Sequence, residues 1–504
     1  MKHKFELLTA FPFIAFLISG SFALILLIWR LYADVPLLVI SADDLARAIL
    51  GWDVTQGKLI PSDVWLPLQF WLQAALTPFG ATILWNALVV NLAASGITLL
   101  TMLLFGREIG LRLSGSIFLI LLLVSLPWFI WLSVSGMSEP LFFLGIVLSF
   151  YGTIKWYRQK QVWGLWLAAI GLLIASLVRF DAWAYAIVFA FSILWCRVHL
   201  KATYPPHAYI IAALPLGVIA LWLTYSYIKY QDPFVFAKIT RGYYLALHPD
   251  PAQRLSLLDR VIAQPRDLIQ FASLTLILAP IGVWLQRHMA GVWILVTMWI
   301  AGLFLLMRST INYTITMNNP ERLVIILVIL MAPWAALTLQ ALWQKPFAKP
   351  FVIGCLLFVV VTRSLVLPHP PNIWSVAPDS IPIRQHLIEL RQAQILLPDD
   401  RIMIEVVFWD FVLLHAMTES PGAVIYDRAP ALIVSPEGVR VLDDVNNPSI
   451  FVESLDVLDR QLQAQNVRVL IVADEMAKAK LRNIAKQTFS TDKFTVFVRS
   501  GTIE

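Results

Sequence analysis

Charge is what this chain has least of. Asp, Glu, Lys and Arg make up 14% of its 504 residues, while 59% are hydrophobic and the mean hydropathy is +0.74. That balance excludes an ordinary soluble domain and points to a polytopic membrane protein. Cysteine is scarce too. Cys196 and Cys355 both sit in or beside apolar runs, so neither a disulfide framework nor a cysteine-based metal site follows. The sequence has no Walker-type phosphate loop, no GxGxxG between a strand and a helix, no HExxH and no D-x-D pair of the kind that holds a metal–nucleotide sugar. The net charge of +6 and pI near 9.2 do not imply nucleic acid, because the basic residues follow membrane topology.

Apolar runs are what is there. Eleven are long enough for about 30 Å of hydrocarbon, near 9–32, 83–105, 113–134, 140–157, 162–178, 182–199, 208–229, 267–286, 291–307, 321–342 and 350–367. The third contains Pro127, a potential break. The first follows MKHKFE and lacks a small-x-small cleavage site, so it reads as a retained span rather than a signal peptide. Short loops on one side collect Lys2, Lys4, Arg107, Arg112, Lys155, Arg158, Lys160, Arg197, Lys201, Arg287, Lys345 and Lys349, with only Glu6 and Glu108 as acids. The positive-inside rule makes that side cytoplasmic and the N-terminus with it. An odd number of spans leaves the C-terminus outside, and the short connectors suit a prokaryotic plasma (inner) membrane.

The chain divides into a membrane module, 1–367, and an extracytoplasmic segment, 368–504, after the Pro-rich linker LPHPPNIW. In the second part RIMIEVVF, VRVLIVAD and KFTVFVRS read as strands. SLDVLDRQLQAQ and DEMAKAKLRNIAKQ read as helices. The fold class is therefore an α-helical polytopic membrane protein of about eleven spans, with a small C-terminal α/β domain.

The polar residues that need explaining lie on the outer side. The first outer loop, about 33–82, is too long for a connector. It carries two amphipathic stretches, 43–57 and DVWLPLQFWLQAAL, suited to lying in the interface with apolar faces down. Asp43 and Asp44 open the first. Either they work at the water–lipid boundary, or Asp43 or Ser41 simply caps the helix and the acids favour its dipole. SGMSEP sets Glu139 at the start of a span, where a small cap would suffice. LVRFDAW holds Arg179 and Asp181, readable as a local interfacial pair. Lys229 and the following loop bring Arg241, Tyr243 and His248, and MRSTINYTITMNNPERL brings Arg308 and Arg322. Interfacial snorkelling is the plainer account of the last two, and His248 reads as an ordinary loop histidine.

The order of these features resembles the GT-C glycosyltransferases, among them protein O-mannosyltransferases and the aminoarabinose transferase. The resemblance covers the topology of the whole chain, with the motif matches (ADD, WLPLQFWL, SGMSEPLF, LVRFDAW) in residues 41–183. It implies transfer of a sugar from a polyprenyl-phosphate donor to a glycan, lipid or protein hydroxyl, with inversion. Asp43, Asp44 and Glu139 become the catalytic candidates, with Asp43 as base. Asp181, Trp65 and His248 become sugar or acceptor contacts. Arg241, Arg322, Lys229, Arg308 and Tyr243 become donor-phosphate contacts. No cofactor is required; if a divalent metal took part, Asp43, Asp44 and Glu139 would hold it. The chemistry agrees: a departing phosphate needs cations rather than an acid, and the attacking hydroxyl needs one carboxylate as base. The competing class is a lipid or solute transporter or flippase. It would show half-repeats, broken helices and midplane ionisable residues, and the sequence shows none of these.

Overall fold

The computed structural model describes residues 2–33, 35–80, 82–159, 161–199, 205–247, 254–289, 291–314, 321–366, 380–406, 410–418, 421–428, 432–435, 438–441 and 449–499. The membrane module runs α1 (Lys2–Leu31), α2 (Ala42–Thr55), α3 (Leu68–Leu76), α4 (Ile83–Glu108), α5 (Leu113–Val124), α6 (Pro127–Ser133), α7 (Glu139–Gln159) and α8 (Val162–Ser176). It continues with α9 (Ala182–His199), α10 (Pro206–Tyr230), α11 (Val235–Leu247), α12 (Leu257–Leu285), α13 (Val292–Ile311), α14 (Glu321–Trp343) and α15 (Lys349–Ser364). Among the described residues seven helices are long and apolar enough to cross a membrane: α1, α4, α7, α10, α13, α14 and α15. Every run read from the sequence coincides with one of these, with a bent pair, or with the shorter apolar helices α8 and α9.

Two spans are bent: one at the potential break that Pro127 marks, the other within 267–286, where no break was expected. α5 and α6 meet at 71°, and α12 bends by 87° about Ala272. At the first break, Pro127 forces Leu126 out of the helical region and then starts α6 at its first position. A break strands backbone carbonyls that lipid cannot satisfy. Arg363, at the end of α15, answers both breaks with one guanidinium. Its Nη1 donates to the Leu122 carbonyl and to Ser125 Oγ, each at 3.1 Å, and its Nη2 donates to the Phe271 carbonyl at 3.1 Å.

α14 is the hub. It is buried along its apolar length and packs against α4, α5, α6, α7, α12, α13 and α15. α7 and α8 pack through facing small residues: a Cβ on Gly152 would stand 2.4 Å from Ala168 N, and one on Gly171 would stand 2.5 Å from the Gly145 carbonyl. Close backbone approach of this kind is how helices associate in lipid. It brings the start of α7 and the α8–α9 turn to the same end of the bundle.

α2 and α3 do form in the first loop, but α2 does not simply rest on lipid. It packs on α3 and α4, and the C-terminal domain covers it. That domain contains β1 (Arg401–Ile404), β2 (Val424–Tyr426), β3 (Leu432–Ser435), β4 (Gly438–Val441), β5 (Val467–Val472), β6 (Lys486–Ser490) and β7 (Thr495–Val498). Its helices are α16 (Ser380–Gln392), α17 (Asp410–Met417), α18 (Leu455–Ala464) and α19 (Glu475–Leu481). The main sheet has the order β2-β1-β5-β7-β6, parallel on the β2-β1-β5 side and antiparallel beyond it. Strand alternation builds two cores: Ile402, Ile404, Val469 and Ile471 face α16 and α17, while Met403, Leu470 and Val472 face α18 and α19. The expected closing helix stops at Leu481, and Lys486–Ser490 is instead a strand, because it pairs with β7 across the turn that Phe494 anchors.

α17 docks on α2, and Gly422 lies against the Trp52 ring. Buried beneath this contact, His415 Nε2 donates to the Pro421 carbonyl at 3.2 Å, which leaves Nδ1 to accept from the Tyr426 hydroxyl. Burial holds the imidazole neutral by lowering its pKa to about 4. A lowered folded-state pKa means that the stabilisation is complete above the unfolded value of about 6.5 and is lost as pH falls toward about 4. Acidification across that window is expected to remove about 3 kcal/mol from the docked domain. Hydrogen exchange of the β1 and β5 amides at pH 7 and pH 4.5 checks this, and His415→Gln should flatten the pH slope. An unchanged slope in the variant would remove His415 as its source.

Candidate functional site

The site forms where four segments meet at one end of the bundle: the start of α2, the turn before α7, the α8–α9 turn and the start of α14. The turn 134–138 is pinned first. Asp44 Oδ1 accepts from Gly136 N at 2.7 Å, and its Oδ2 accepts from Ile40 N and Ser41 N at 2.9 and 2.8 Å. Ser41 and Asp44 thereby complete a capping box on α2. Gln69 Nε2 donates to the Gly136 carbonyl at 2.8 Å, and Asn91 Nδ2 donates to the Met137 carbonyl at 2.8 Å. The turn that presents Glu139 is therefore held from α2, α3 and α4.

Around it runs a chain of ion pairs. Arg322 Nη2 lies 3.8 Å from Asp43 Oδ2, and Arg322 Nε lies 3.6 Å from Glu139 Oε1. Arg179 Nη1 donates to Glu139 Oε1 at 2.8 Å, and its Nη2 and Nε donate to Asp181 Oδ2 at 2.7 and 2.9 Å. Burial alone would lower the basicity of Arg179, but Asp181 and Glu139 hold it above its ordinary value. Asp43, Glu139 and Asp181, far apart in sequence, thus share one cluster. Beneath it lies a small cavity whose polar wall is Glu139, Arg179, Asp181 and Arg322, and whose opposite wall is apolar, including Phe142 and Leu306.

The cluster has a member that sequence reading missed. Arg47 is buried on α2, its guanidinium carbon 4.4 Å from the centre of the Trp65 ring, and its Nη1 donates to Gln69 Oε1 at 3.3 Å. Burial pulls its pKa down to about 10, against the fields of Asp43 and Glu139. Its Nε has no hydrogen-bond partner among the described residues. The available signal was its place one helical turn after Asp43, an i,i+4 pair on one face. Trp65, expected as a sugar contact, stacks on Arg47.

The other expected residues fall elsewhere. Asp44 is fully buried with both oxygens committed, and burial pushes its carboxyl up to about 7 against the three N–H donors. It acts as a structural cap and presents no face to a reactant. Lys229 pairs with Asp63 at 2.7 Å, joined by Tyr225 and Tyr230, so it ties the first loop to α10. Lys229 and the two tyrosines hold Asp63 below the usual carboxylate range in spite of burial. Arg241 and Arg308 are exposed, on α11 and in the last turn of α13, and among the described residues neither forms an ion pair with the cluster. His248 lies outside the described residues, as does the Tyr243 side chain. Of the three candidate metal ligands, Asp44 is spent on backbone N–H groups, and both arginines meet Glu139 at Oε1, leaving its buried Oε2 without a hydrogen-bond partner among the described residues. Among the described residues, no three His, Cys, Asp or Glu side chains gather as a metal site requires.

This is the architecture of a multi-span membrane protein with charged groups concentrated at helix ends, and its fold is the GT-C fold of membrane glycosyltransferases. No protein-family model matches the sequence, and no curated protein matches it. Solved structures do. The oligosaccharyltransferase of Archaeoglobus fulgidus in the apo form aligns with TM-score 0.55 at 11% identity, over 93% of this chain and 70% of that one. ArnT from Cupriavidus metallidurans bound to undecaprenyl phosphate aligns with TM-score 0.54 at 11% identity, over 96% of this chain and 98% of that one. The Archaeoglobus fulgidus oligosaccharyltransferase AglB in complex with an inhibitory peptide and a dolichol-phosphate aligns with TM-score 0.51 at 11% identity, over 92% and 69%.

Gly136 offers a test of how the site is positioned. A Cβ there would stand 2.4 Å from the Asp44 carbonyl oxygen, a backbone atom that cannot step aside, whereas one on Gly217 would meet nothing within 4 Å. Gly136→Ala should shift the Glu139 turn away from α2 and lower activity by about 10²-fold, the scale of a 1 Å misplacement. Gly217→Ala should leave activity unchanged. Equal activities in the two variants, measured on folded protein, would show that the turn does not set the site.

Proposed function

We propose that this chain is a membrane glycosyltransferase that moves a sugar from a polyprenyl-phosphate donor to an acceptor hydroxyl at the outer membrane boundary. The observation that carries the reading is the cluster itself: buried Arg47 and Arg322 and half-buried Arg179 around a carboxylate, Asp43, that keeps 32% of its side chain exposed. A lipid-linked donor keeps its tail in the bilayer, so its phosphate arrives at helix-end depth, where these arginines stand. The fold shared with ArnT, which was solved with undecaprenyl phosphate, supports the same class of donor.

In the proposed step the acceptor oxygen bonds to the anomeric carbon while its proton passes to the Asp43 carboxylate. The bond from that carbon to the phosphate oxygen breaks, and its electron pair leaves with the polyprenyl phosphate. Direct displacement inverts the anomeric centre. Arg322 stabilises the charge that grows on the departing phosphate, and Asp181 with Arg179 borders the cavity where a sugar would lie. The step draws on side chains alone, and the acceptor class (glycan, lipid or protein) is left open. The bent spans favour a second reading, a lipid transporter, since broken helices are common in transporters. The charged groups at the helix ends weigh against it, because transporter sites lie near the midplane.

Mass spectrometry of polyprenyl-phosphate sugars and glycoconjugates, in cells with and without the chain, separates the two. A transferase is expected to leave its sugar donor accumulated and one glycoconjugate missing when the chain is deleted. Movement of donor between leaflets with no missing product would favour transport. Asp43→Asn should lower turnover by about 10²–10⁴ while donor still binds. Arg322→Lys keeps the charge but loses the planar fork, so turnover should fall with little change in thermal stability. Near-normal turnover in Asp43→Asn would take the role of base away from Asp43.

A further inference from the structure

The ion pairs of the cluster are unequal. Arg179 grips Glu139 and Asp181 at 2.8 and 2.7 Å, but Arg322 stands 3.6 Å from Glu139 and 3.8 Å from Asp43. The looser pair involves Asp43, the most exposed of the three carboxylates, against a 1% exposed Glu139 and a 15% exposed Asp181. Beside it Arg47 is buried, rigidly stacked on Trp65, and has an Nε without a hydrogen-bond partner among the described residues. Among the described residues three arginines and three carboxylates make up the cluster, so an incoming anion must compete with Asp43 for Arg322.

We propose that the donor phosphate enters by ion-pair exchange, taking Arg322 from Asp43 and seating between Arg322 and Arg47. The inference rests on the transferase reading and deepens it, by naming Arg47 as a phosphate-holding residue and Asp43 as the group the phosphate displaces. Exchange suits this site for a physical reason. A phosphate oxygen accepts from a guanidinium in bidentate geometry, which an Asp43 contact at 3.8 Å does not achieve. The incoming anion therefore gains more from Arg322 than Asp43 gives up. Asp43, released from Arg322, is then left to take the acceptor proton. The arrangement thus keeps the base paired with a cation until donor is present, and frees it as donor arrives. Arg179 takes no part; its two tight pairs hold the frame.

The consequence is that removing the base tightens donor binding. Asp43→Asn keeps the shape of the side chain but no longer competes for Arg322. The test is equilibrium binding of undecaprenyl phosphate, without sugar, to the full chain in phosphatidylcholine nanodiscs. Asp43→Asn is expected to bind at least threefold tighter than the wild type, and the gain should vanish in Asp43→Asn/Arg322→Ala. Arg47→Gln should weaken binding about tenfold, with Arg47→Lys recovering part of the loss, whereas a purely structural Arg47 would lower thermal stability and leave affinity alone. Inorganic phosphate at tenfold excess should leave the lipid bound. Displacement by inorganic phosphate at equal concentration would overturn the lipid-linked source. If folded Asp43→Asn binds no more tightly than the wild type, or keeps its gain without Arg322, the exchange is wrong while the transferase reading stands. If the wild type shows no saturable binding at all, both fail.

Discussion

The site depends on one buried carboxylate whose oxygens are both committed to backbone N–H groups. Asp44 is fully excluded from solvent, yet its two oxygens receive three backbone N–H groups from two segments 92 residues apart. Burying a carboxylate costs several kcal/mol, and hydrogen bonds to a charged group return roughly 1.5–3 kcal/mol each. Three of them are enough to make burial tolerable, and removing one strands charge in a dry place. The bond to Gly136 is therefore hard to slip. It fixes the start of α2 against the turn before α7, and so fixes Asp43 relative to Glu139. The neighbouring acids separate by environment: one is consumed as structure, which frees the other to face the boundary.

From that junction the remaining geometry follows by packing. Glu139 begins α7, and the glycine-lined contact of α7 with α8 sets how near Arg179 comes. Arg322 begins α14, the helix most enclosed by its neighbours, so its guanidinium is positioned by the whole bundle rather than by a loop. Charges at helix starts packed inside the bundle hold their positions better than charges on an exposed helix face, such as Arg241 on α11.

Much of this was legible in the sequence, for reasons that also mark where legibility stops. Spans are long apolar runs, and hydropathy records them directly; Glu139 and Asp181 stood out because an acid beside hydrocarbon requires explanation. Arg322 was visible on the same ground. Arg179 was visible but read as a neighbour of Asp181, because its second partner, Glu139, lies 40 residues away and meets it only through helix packing. Arg47 was hidden because the apolar face of α2 was read as facing lipid, whereas α3, α4 and α17 enclose that helix. Lys229 looked like a free interfacial cation until Asp63, from a loop 166 residues earlier, was found against it. The strand Lys486–Ser490 escaped notice because its alternation is weak and its pairing with β7 is tertiary. Local pattern reports what a residue costs to bury; it does not report which distant residue offsets that cost.

α2 joins these levels. At one end it carries Asp43 and Arg47 into the cluster, with Asp44 bolting it to the bundle. At the other, Trp52 lies under Gly422 of the C-terminal domain, and α17 packs along it. A helix of 14 residues is about 21 Å long and stiff on that scale, so a shift at its outer end is carried toward the cluster unless the Asp44 junction absorbs it. Because that junction is buried and fully hydrogen-bonded, it resists. The C-terminal domain is thus mechanically in series with the candidate base, and the neutral His415 in the docking contact is part of the same load path.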